Sequence, residues 1–184
     1  NEINEEMYQK IAGNSSLTDE REAKETAKMV ALSAVKYGDL SNQASKDYIF
    51  DIERFTSFEG NTGPYILYTI VRIKSILKKY QAEKTLPEGA GILPARSDSE
   101  KALMLEISKF NGVMESAYEE MAPHKVCAYI YDLANAFNHF YHETKIMAEP
   151  DPMQQAGYIR LLGLTKKALE ICIDILGFEA PERM

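Results

Sequence analysis

The chain has 184 residues, of which 45% are hydrophobic and 27% charged, and its formal net charge is −7. These values are ordinary for a globular protein of one or two domains, and no apolar run approaches the roughly eighteen residues of a membrane span. The negative charge argues against a protein that coats nucleic-acid backbones, because phosphate contacts need a broad positive surface.

The residue pattern of the N-terminal part predicts two helices followed by an extended segment. A first helix with Ile3, Met7 and Ile11 on one face ends near Gly13. Thr18 is a suitable N-cap for a second helix, and Gly38 is a suitable C-terminal stop. Alternating residues around 48–52 weakly indicate a strand or extended chain. The second helix presents a face that allows close packing, formed by Ala23, Ala27, Val30, Ala34 and Tyr37.

A turn and a helix start stand out at residues 58–68. Gly60 and Gly63 permit backbone angles that other residues resist. Asn61 or Thr62 can cap a helix, and Pro64 suits its first turn. We therefore predict a helix over 64–81, with an apolar stripe at Ile66, Ile70, Ile73, Leu77 and Tyr80 and a second face with Tyr65, Tyr68, Arg72 and Lys79.

The second half of the chain reads as a loop and three long helices. Residues 85–98 are rich in Gly and Pro and predict a surface loop. Apolar residues at helical spacing predict helices over 99–121, 124–147 and 154–176, the last ended by Gly177. Short breaks between long amphipathic helices favour an all-α, antiparallel bundle. Their stripes are Leu103, Ile107, Phe110, Met114, Ala117 and Met121; Val126, Ile130, Leu133, Phe137 and Phe140; and Ile159, Leu162, Leu169, Ile173 and Leu176.

Tyr68 and Arg72 are the residues that point to a function. They are four apart, so their side chains are neighbours on one helix face. An aromatic ring beside a guanidinium offers an unstacked RNA base both a π-face and a cation. The surrounding residues 64–84 are locally basic, with Lys74, Lys78 and Lys84 among them, although a solvated helix face would show the same charges.

No catalytic constellation is visible in the sequence: it contains no phosphate-binding loop, nucleophile elbow or cysteine metal framework. His139, His142 and Glu143 share a helix turn, but exposed polar side chains explain them better than a metal site. Cys127 and Cys172 fall inside apolar helical patterns and indicate buried, reduced thiols. We therefore expect no catalytic residues and no metal.

Several stretches in the right order resemble one family. Phe58-Glu59-Gly60-Asn61-Thr62-Gly63-Pro64-Tyr65, the stretch 123–134, the pair Phe140-Tyr141 and the ending Leu176-Gly177-Phe178 resemble the anticodon-binding domain of bacterial-type class I arginyl-tRNA synthetases. Residues 33–42 and 47–51 resemble that family's link out of its catalytic domain. The resemblance covers nearly the whole chain and is weakest over residues 1–30 and 81–101.

The resemblance implies which residues contact the anticodon. The family's contacts include a Tyr and an Arg that match Tyr68 and Arg72, a Tyr that matches Tyr141, and a terminal Met that matches Met184. Some members carry an aromatic residue where this chain has Lys145, so there we expect a phosphate or base-edge contact in place of stacking. By residue type alone, Tyr65, Tyr129, Tyr131 and Phe137 are packing residues, and a C-terminal Met184 would be frayed.

The resemblance also implies the organisation and partners of the chain. Residues 1–57 would connect to a catalytic domain, and 58–184 would bind the anticodon stem-loop of an arginine tRNA. The chain starts with Asn and lacks the HIGH-like and KMSKS-like motifs with which class I synthetases activate their amino acid. We therefore expect a fragment of a cytoplasmic arginine–tRNA ligase. ATP and Mg²⁺ would be used by the parent's catalytic domain, and we expect no cofactor in this fragment. We expect no membrane or DNA partner. The alternatives are a helical protein–protein interaction module and a related domain that reads another tRNA.

Overall fold

A computed structural model describes residues 2–12 and 19–184 of the chain. These residues form α-helices and one 3₁₀ turn and no β-strand, which confirms the all-α prediction. None of the described helices is long and apolar enough to cross a membrane. The helices are α1 (Glu2–Ala12), α2 (Glu20–Leu40), α3 (Ile52–Phe55), α4 (Gly63–Glu83), α5 (Asp98–Ser108), α6 (Phe110–Glu119), α7 (Pro123–Glu143) and α8 (Pro152–Ile175).

One apolar core joins the N-terminal helices to the rest of the chain. Helix α2 packs against α1 and α4, α4 packs against α7 and α8, and α5 and α6 cover α7. Tyr37 of α2 is fully buried, and its hydroxyl lies 2.5 Å from Asn61 Oδ1 and 2.9 Å from the Cys127 carbonyl oxygen. The predicted stripes of α2, α7 and α8 are all buried. Residues before and after position 57 therefore contribute to the same core.

The turn before α4 folds as its residues predict. Thr62 is the N-cap, and its Oγ1 accepts a hydrogen bond from the Tyr65 N–H at 3.2 Å. Gly60 adopts a φ of +79°, the left-handed region that glycine tolerates best. Gly63 lies so close to α2 that a Cβ atom there would stand 2.3 Å from the Ser33 carbonyl oxygen. Glycine at 63 thus sets how closely α2 and α4 approach.

Three expectations for the N-terminal part need correction. Gly13 and Thr18 lie outside the described residues, and the N-cap of α2 is Asp19, whose side chain accepts a hydrogen bond from the Arg21 N–H. Gly38 does not end α2; it lies inside the helix, where its missing Cβ leaves room for the Phe55 ring. Of the two alternatives for residues 48–52, the strand is wrong: residues 48–51 belong to no regular element, Asp51 has an extended backbone (φ −114°, ψ 106°), and Ile52 begins α3.

Two predicted helices are shorter than expected. The helix predicted over 99–121 is divided at Lys109, whose N–H bonds to Glu106 O in a 3₁₀-like turn, next to a Ser108 hydroxyl that donates to Leu105 O. Met121 is exposed rather than buried, because it lies in the following turn at a φ of +47°. Helix α7 ends at Glu143, and a 3₁₀ turn, Ile146–Ala148, replaces its predicted last turn.

The chain after α8 is docked on the protein. Gly177 adopts a φ of +82°, and the Phe178 N–H bonds to Ile173 O, which closes the helix as predicted. Phe178 and Met184 are both buried. The burial of Met184 contradicts the expectation of a frayed terminus that its position alone would give.

Candidate nucleic-acid interface

Helices α4 and α7 bring two tyrosines and one arginine together on an exposed face. The Arg72 guanidinium carbon lies 4.6 Å from the centre of the Tyr68 ring and 5.5 Å from the centre of the Tyr141 ring. Tyr68 is 40% exposed and Tyr141 37% exposed, whereas Arg72 is only partly exposed. The guanidinium therefore lies within cation–π distance of two accessible rings, one from each helix.

Asn138 of α7 holds the Arg72 side chain through a hydrogen bond. Its Oδ1 accepts a hydrogen bond from Arg72 Nη1 at 2.8 Å, while its Nδ2 donates to the Tyr65 hydroxyl at 2.9 Å and to Thr69 Oγ1 at 3.2 Å. The Tyr65 hydroxyl in turn donates to Asn135 Oδ1 at 2.7 Å. Each polar group thus has a partner, so the network holds Arg72 in one orientation.

The aromatic residues around this network serve as its support. Tyr141 stacks on the buried Phe137 ring, with centres 5.9 Å apart and planes inclined by 25°. Burial raises the pKa of the Tyr65 phenol, against the lowering effect of its hydrogen bond from Asn138. Tyr65 and Tyr131 meet edge to face at 5.9 Å. Tyr65, Tyr131 and Phe137 are therefore packing residues, as their positions in the sequence predict.

A groove of about 390 Å³ opens beside Tyr68. Met184, at the end of the chain, is 8% exposed and lines this groove together with Tyr68. Its other lining residues are Lys10, Ile11, Phe58 and Glu59. A planar group that stacks on Tyr68 would therefore contact the C-terminal methionine, the first helix and the turn before α4.

Lys145 and the two histidines lie at the C-terminal end of α7, the same end as Tyr141. Lys145 is exposed and stands beyond the helix end at Glu143, with a φ of −80° and a ψ of 66°, so it does not continue the helical face of Tyr141. His139 and His142 are exposed, and His139 Nε2 lies 3.8 Å from a Glu143 oxygen. Within the described residues, no group of three His, Cys, Asp or Glu side chains is arranged to hold a metal ion.

Sequence reasoning missed two residues of this face. Asn138 follows the buried Phe137 and is three residues before Tyr141, so helical spacing alone could have placed it beside the site. Lys10 lies far from Tyr68 in sequence, on α1, and no sequence signal connects them. Its Nζ donates to Glu6 Oε1 at 2.7 Å and to Thr56 Oγ1 at 3.0 Å.

The arrangement suits single-stranded RNA. Exposed rings backed by a fixed guanidinium offer stacking platforms that tolerate any base, while the Arg72 guanidinium supplies positive charge close to them. Phosphate-coating proteins show a broad basic surface instead, and the net charge here is −7. The face can therefore read a few bases without holding a long stretch of backbone.

Known protein families and structures that resemble this chain are anticodon-binding domains and arginine–tRNA ligases. The model of the DALR anticodon binding domain matches residues 66–184. The whole chain is 63% identical to part of an arginine–tRNA ligase of Agathobacter rectalis and covers 32% of its length. A similar ligase of Alkaliphilus oremlandii is 50% identical over 99% of the chain, which covers 31% of that protein.

The same likeness holds in three dimensions. The fold superposes on Thermus thermophilus arginyl-tRNA synthetase with a TM-score of 0.85 at 30% identity, covering the whole of this chain and 32% of that structure. The chain thus spans about a third of the length of the relatives that it matches. The matched region includes both tyrosines, Arg72 and Met184.

Proposed function

The chain belongs to the family of DALR anticodon-binding domains, and we propose that it forms the anticodon-binding part of an arginine–tRNA ligase. Its role would be to hold the anticodon stem-loop of an arginine tRNA while the rest of the ligase joins arginine to the acceptor end. The observation that carries this proposal is the Arg72 guanidinium set between the exposed rings of Tyr68 and Tyr141.

The bases of an anticodon loop can leave their stack, and proteins read such bases by stacking and by hydrogen bonds to their edges. Tyr68 would stack on one base, with Met184 against the other side of the groove. Tyr141 would offer a second platform, and Lys145 would meet a phosphate or a base edge near the end of α7. Each stack contributes about 1–3 kcal/mol, so two stacks and one arginine can select a loop with modest total affinity.

Arginine codons share a central guanine, so arginine tRNAs share a central cytosine in the anticodon. That base is the one that the domain must recognise in every arginine tRNA. Stacking alone is tolerant of sequence. We therefore propose that hydrogen bonds from the Tyr68 groove, which also contains Lys10 and Glu59, supply the selection for cytosine.

The N-terminal helices suggest where the catalytic part would pack. Leu32 and Val35 of α2 and Ile49 and Phe50 beyond it are exposed, although they are large and apolar. We propose that residues 1–57 use this surface to contact the catalytic domain of the ligase. ATP and Mg²⁺ would act in that domain, and the ligase would work in the cytoplasm, where aminoacyl-tRNAs are used. The family membership does not favour an interaction module without an RNA role.

Equilibrium binding to an anticodon stem-loop tests the proposal. The probes are an arginine tRNA stem-loop and the same RNA with its central cytosine replaced, each at two salt concentrations, with other tRNAs as competitors. We expect selective binding that depends only weakly on salt. Equal binding to both loops, or binding that disappears with added salt, would contradict anticodon recognition by this chain.

A further inference from the structure

The segment after α8 runs back across α2 and α4 and is held at several points. Leu176 and Phe178 are buried in the core. Lys36 of α2 donates to the Gly177 carbonyl oxygen at 2.6 Å, and Arg183 forms a two-pronged pair with Glu22 at 2.6 and 2.8 Å. The last residues therefore have a defined path that ends beside the Tyr68 groove.

Lys74 makes the largest set of these contacts. Its Nζ donates to Ala180 O at 3.2 Å, to Pro181 O at 3.3 Å and to Glu182 Oε1 at 2.7 Å, and it lies 3.6 Å from Glu170 Oε1. Its side chain is only 14% exposed. The hydrogen bond from Lys74 also holds the pKa of the Glu182 carboxyl below its usual range. One cation thus fixes three consecutive residues of the C-terminal segment.

Met184 separates two depressions on this face. One is the groove beside Tyr68, and the other is a larger one of about 850 Å³ that contains Lys74 and Lys78. Met184 lines both of them. The position of its side chain depends on the path of residues 180–182, which Lys74 sets. Lys74 is therefore one of the restraints, together with the Arg183–Glu22 pair, on the path that brings Met184 to the Tyr68 groove.

We propose that Lys74 is a positioning residue for RNA binding, which holds residues 180–182 so that Met184 forms one wall of the base-binding groove at Tyr68. This inference rests on the proposed function, since it concerns how that same groove is built. Lys74 does not itself contact the RNA. Its donors already point at Ala180, Pro181 and Glu182, and two carboxylates neutralise its charge.

A double-mutant cycle in the 184-residue chain tests the inference. Lys74→Met, Met184→Ala and the double variant are compared for affinity to the arginine anticodon stem-loop, with Lys78→Met as the control. Lys78 is exposed and lines the same depression, so it matches the loss of one positive charge. Lys74→Arg keeps a cation with several donors and serves as the rescue, which guards against loss of the fold.

Since Lys74 acts through Met184, Lys74→Met should weaken binding roughly tenfold, and the double variant should be no weaker than Met184→Ala alone. The dependence of affinity on salt should not change, because no phosphate contact is lost. Amide hydrogen exchange over residues 178–184 should become faster in Lys74→Met, and Lys74→Arg should restore both readouts.

Three results would overturn the inference while leaving anticodon binding intact. The first is that Lys74→Met binds the stem-loop as tightly as the unmodified chain. The second is that the losses of affinity in Lys74→Met and Met184→Ala add in the double variant. The third is that the affinity of Lys74→Met depends less on salt than that of the unmodified chain, as does that of Lys78→Met. Failure of the proposed function looks different, because the unmodified chain would then bind both the arginine loop and its cytosine-replaced counterpart equally.

Discussion

Asn138 of α7 accepts a 2.8 Å hydrogen bond from the Arg72 guanidinium of α4, and so ties the two helices together directly beneath the exposed tyrosines. A guanidinium on a free side chain loses conformational entropy when it orders against a ligand. Here the protein has already ordered it, because Asn138 is itself fixed by Tyr65 and Thr69. The face is therefore organised before any RNA arrives, which lowers the cost of binding.

Replacing Asn138 with alanine tests this role. The change removes three hydrogen bonds and leaves the buried Thr69 hydroxyl and the partly exposed Arg72 guanidinium without this partner. We therefore expect the free energy of unfolding to fall by about 1–3 kcal/mol. Affinity for the stem-loop should also fall, because Arg72 is no longer held. Urea denaturation followed by circular dichroism measures the first effect. Asn111→Ala, an exposed position on α6, is the control, and equal stability of the two variants would refute the role of Asn138.

Removal of the Tyr68 ring should affect binding far more than folding. Tyr68 lies outside the buried apolar face of α4, so Tyr68→Ala should keep the fold. It should weaken stem-loop binding by about 1–3 kcal/mol, the free energy that one base stack contributes. Fluorescence anisotropy with a labelled stem-loop gives the affinity. Tyr118→Ala removes a ring that is 85% exposed on α6, outside the face, and should bind like the unmodified chain. Identical affinities for the two variants would exclude stacking on Tyr68.

The helices could be predicted where the local signals agreed. Thr62, Pro64 and the apolar stripe after them all indicate one helix start, and α4 begins there. Prediction failed where long-range packing decided the outcome. Gly38 has the chemistry of a helix stop, yet α2 continues past it because Phe55, distant in sequence, packs against its bare Cα. The division at Lys109 likewise leaves the apolar spacing of α5 and α6 unbroken, so periodicity could not reveal it.

The candidate site was predictable only in part. Tyr68 and Arg72 are four residues apart on one helix, so their contact follows from helical geometry. Tyr141 and Met184 could be placed near them only through the resemblance, because no local pattern joins α7 or the chain end to α4. The position of Lys10 beside Tyr68 could not be predicted from the sequence, since it depends on how α1 packs against the rest of the fold.

The two cysteines should make stability depend on pH above the neutral range. Burial raises the pKa of the Cys127 thiol to about 12, helped by the nearby Cys172, and burial raises the pKa of Cys172 to about 12 as well. In the unfolded chain both thiols lose their protons near pH 9, while the folded chain retains them. The unfolded state then binds fewer protons, so the free energy of unfolding falls as the pH rises from about 9 towards 12.

Urea denaturation between about pH 8 and about pH 10 measures this effect, since the slope approaches at most about 1.4 kcal/mol per pH unit for each thiol. The buried tyrosines, whose pKa values burial also raises, add to the slope near the upper end of this range, so the thiols' share is the difference from a control that keeps the tyrosines. A chain with Cys127→Ala and Cys172→Ala is the control, because it lacks both thiols and should show a flatter dependence at some cost in stability at every pH. A slope that persists unchanged in the control would assign the pH dependence to other groups.

Gly63 and Gly163 provide a matched pair for the packing of α2 against α4. Both are helical glycines, but a Cβ on Gly63 would lie 2.3 Å from Ser33 O, whereas a Cβ on Gly163 would meet nothing within 4 Å. Gly63→Ala must therefore push α2 away from α4 and should lower the free energy of unfolding by at least about 1–3 kcal/mol. Gly163→Ala should raise it by about 0.5–1 kcal/mol, because alanine loses less entropy than glycine in a helix.

The same pair also shows whether the N-terminal helices support the RNA-binding face. Displacing α2 disturbs Glu22, which holds Arg183, and α1, which carries Lys10 into the Tyr68 groove. Gly63→Ala should therefore weaken stem-loop binding even under conditions where the variant remains folded, while Gly163→Ala should bind as tightly as the unmodified chain. Unchanged affinity in a folded Gly63→Ala variant would mean that α4 and α7 form the face without help from α1 and α2.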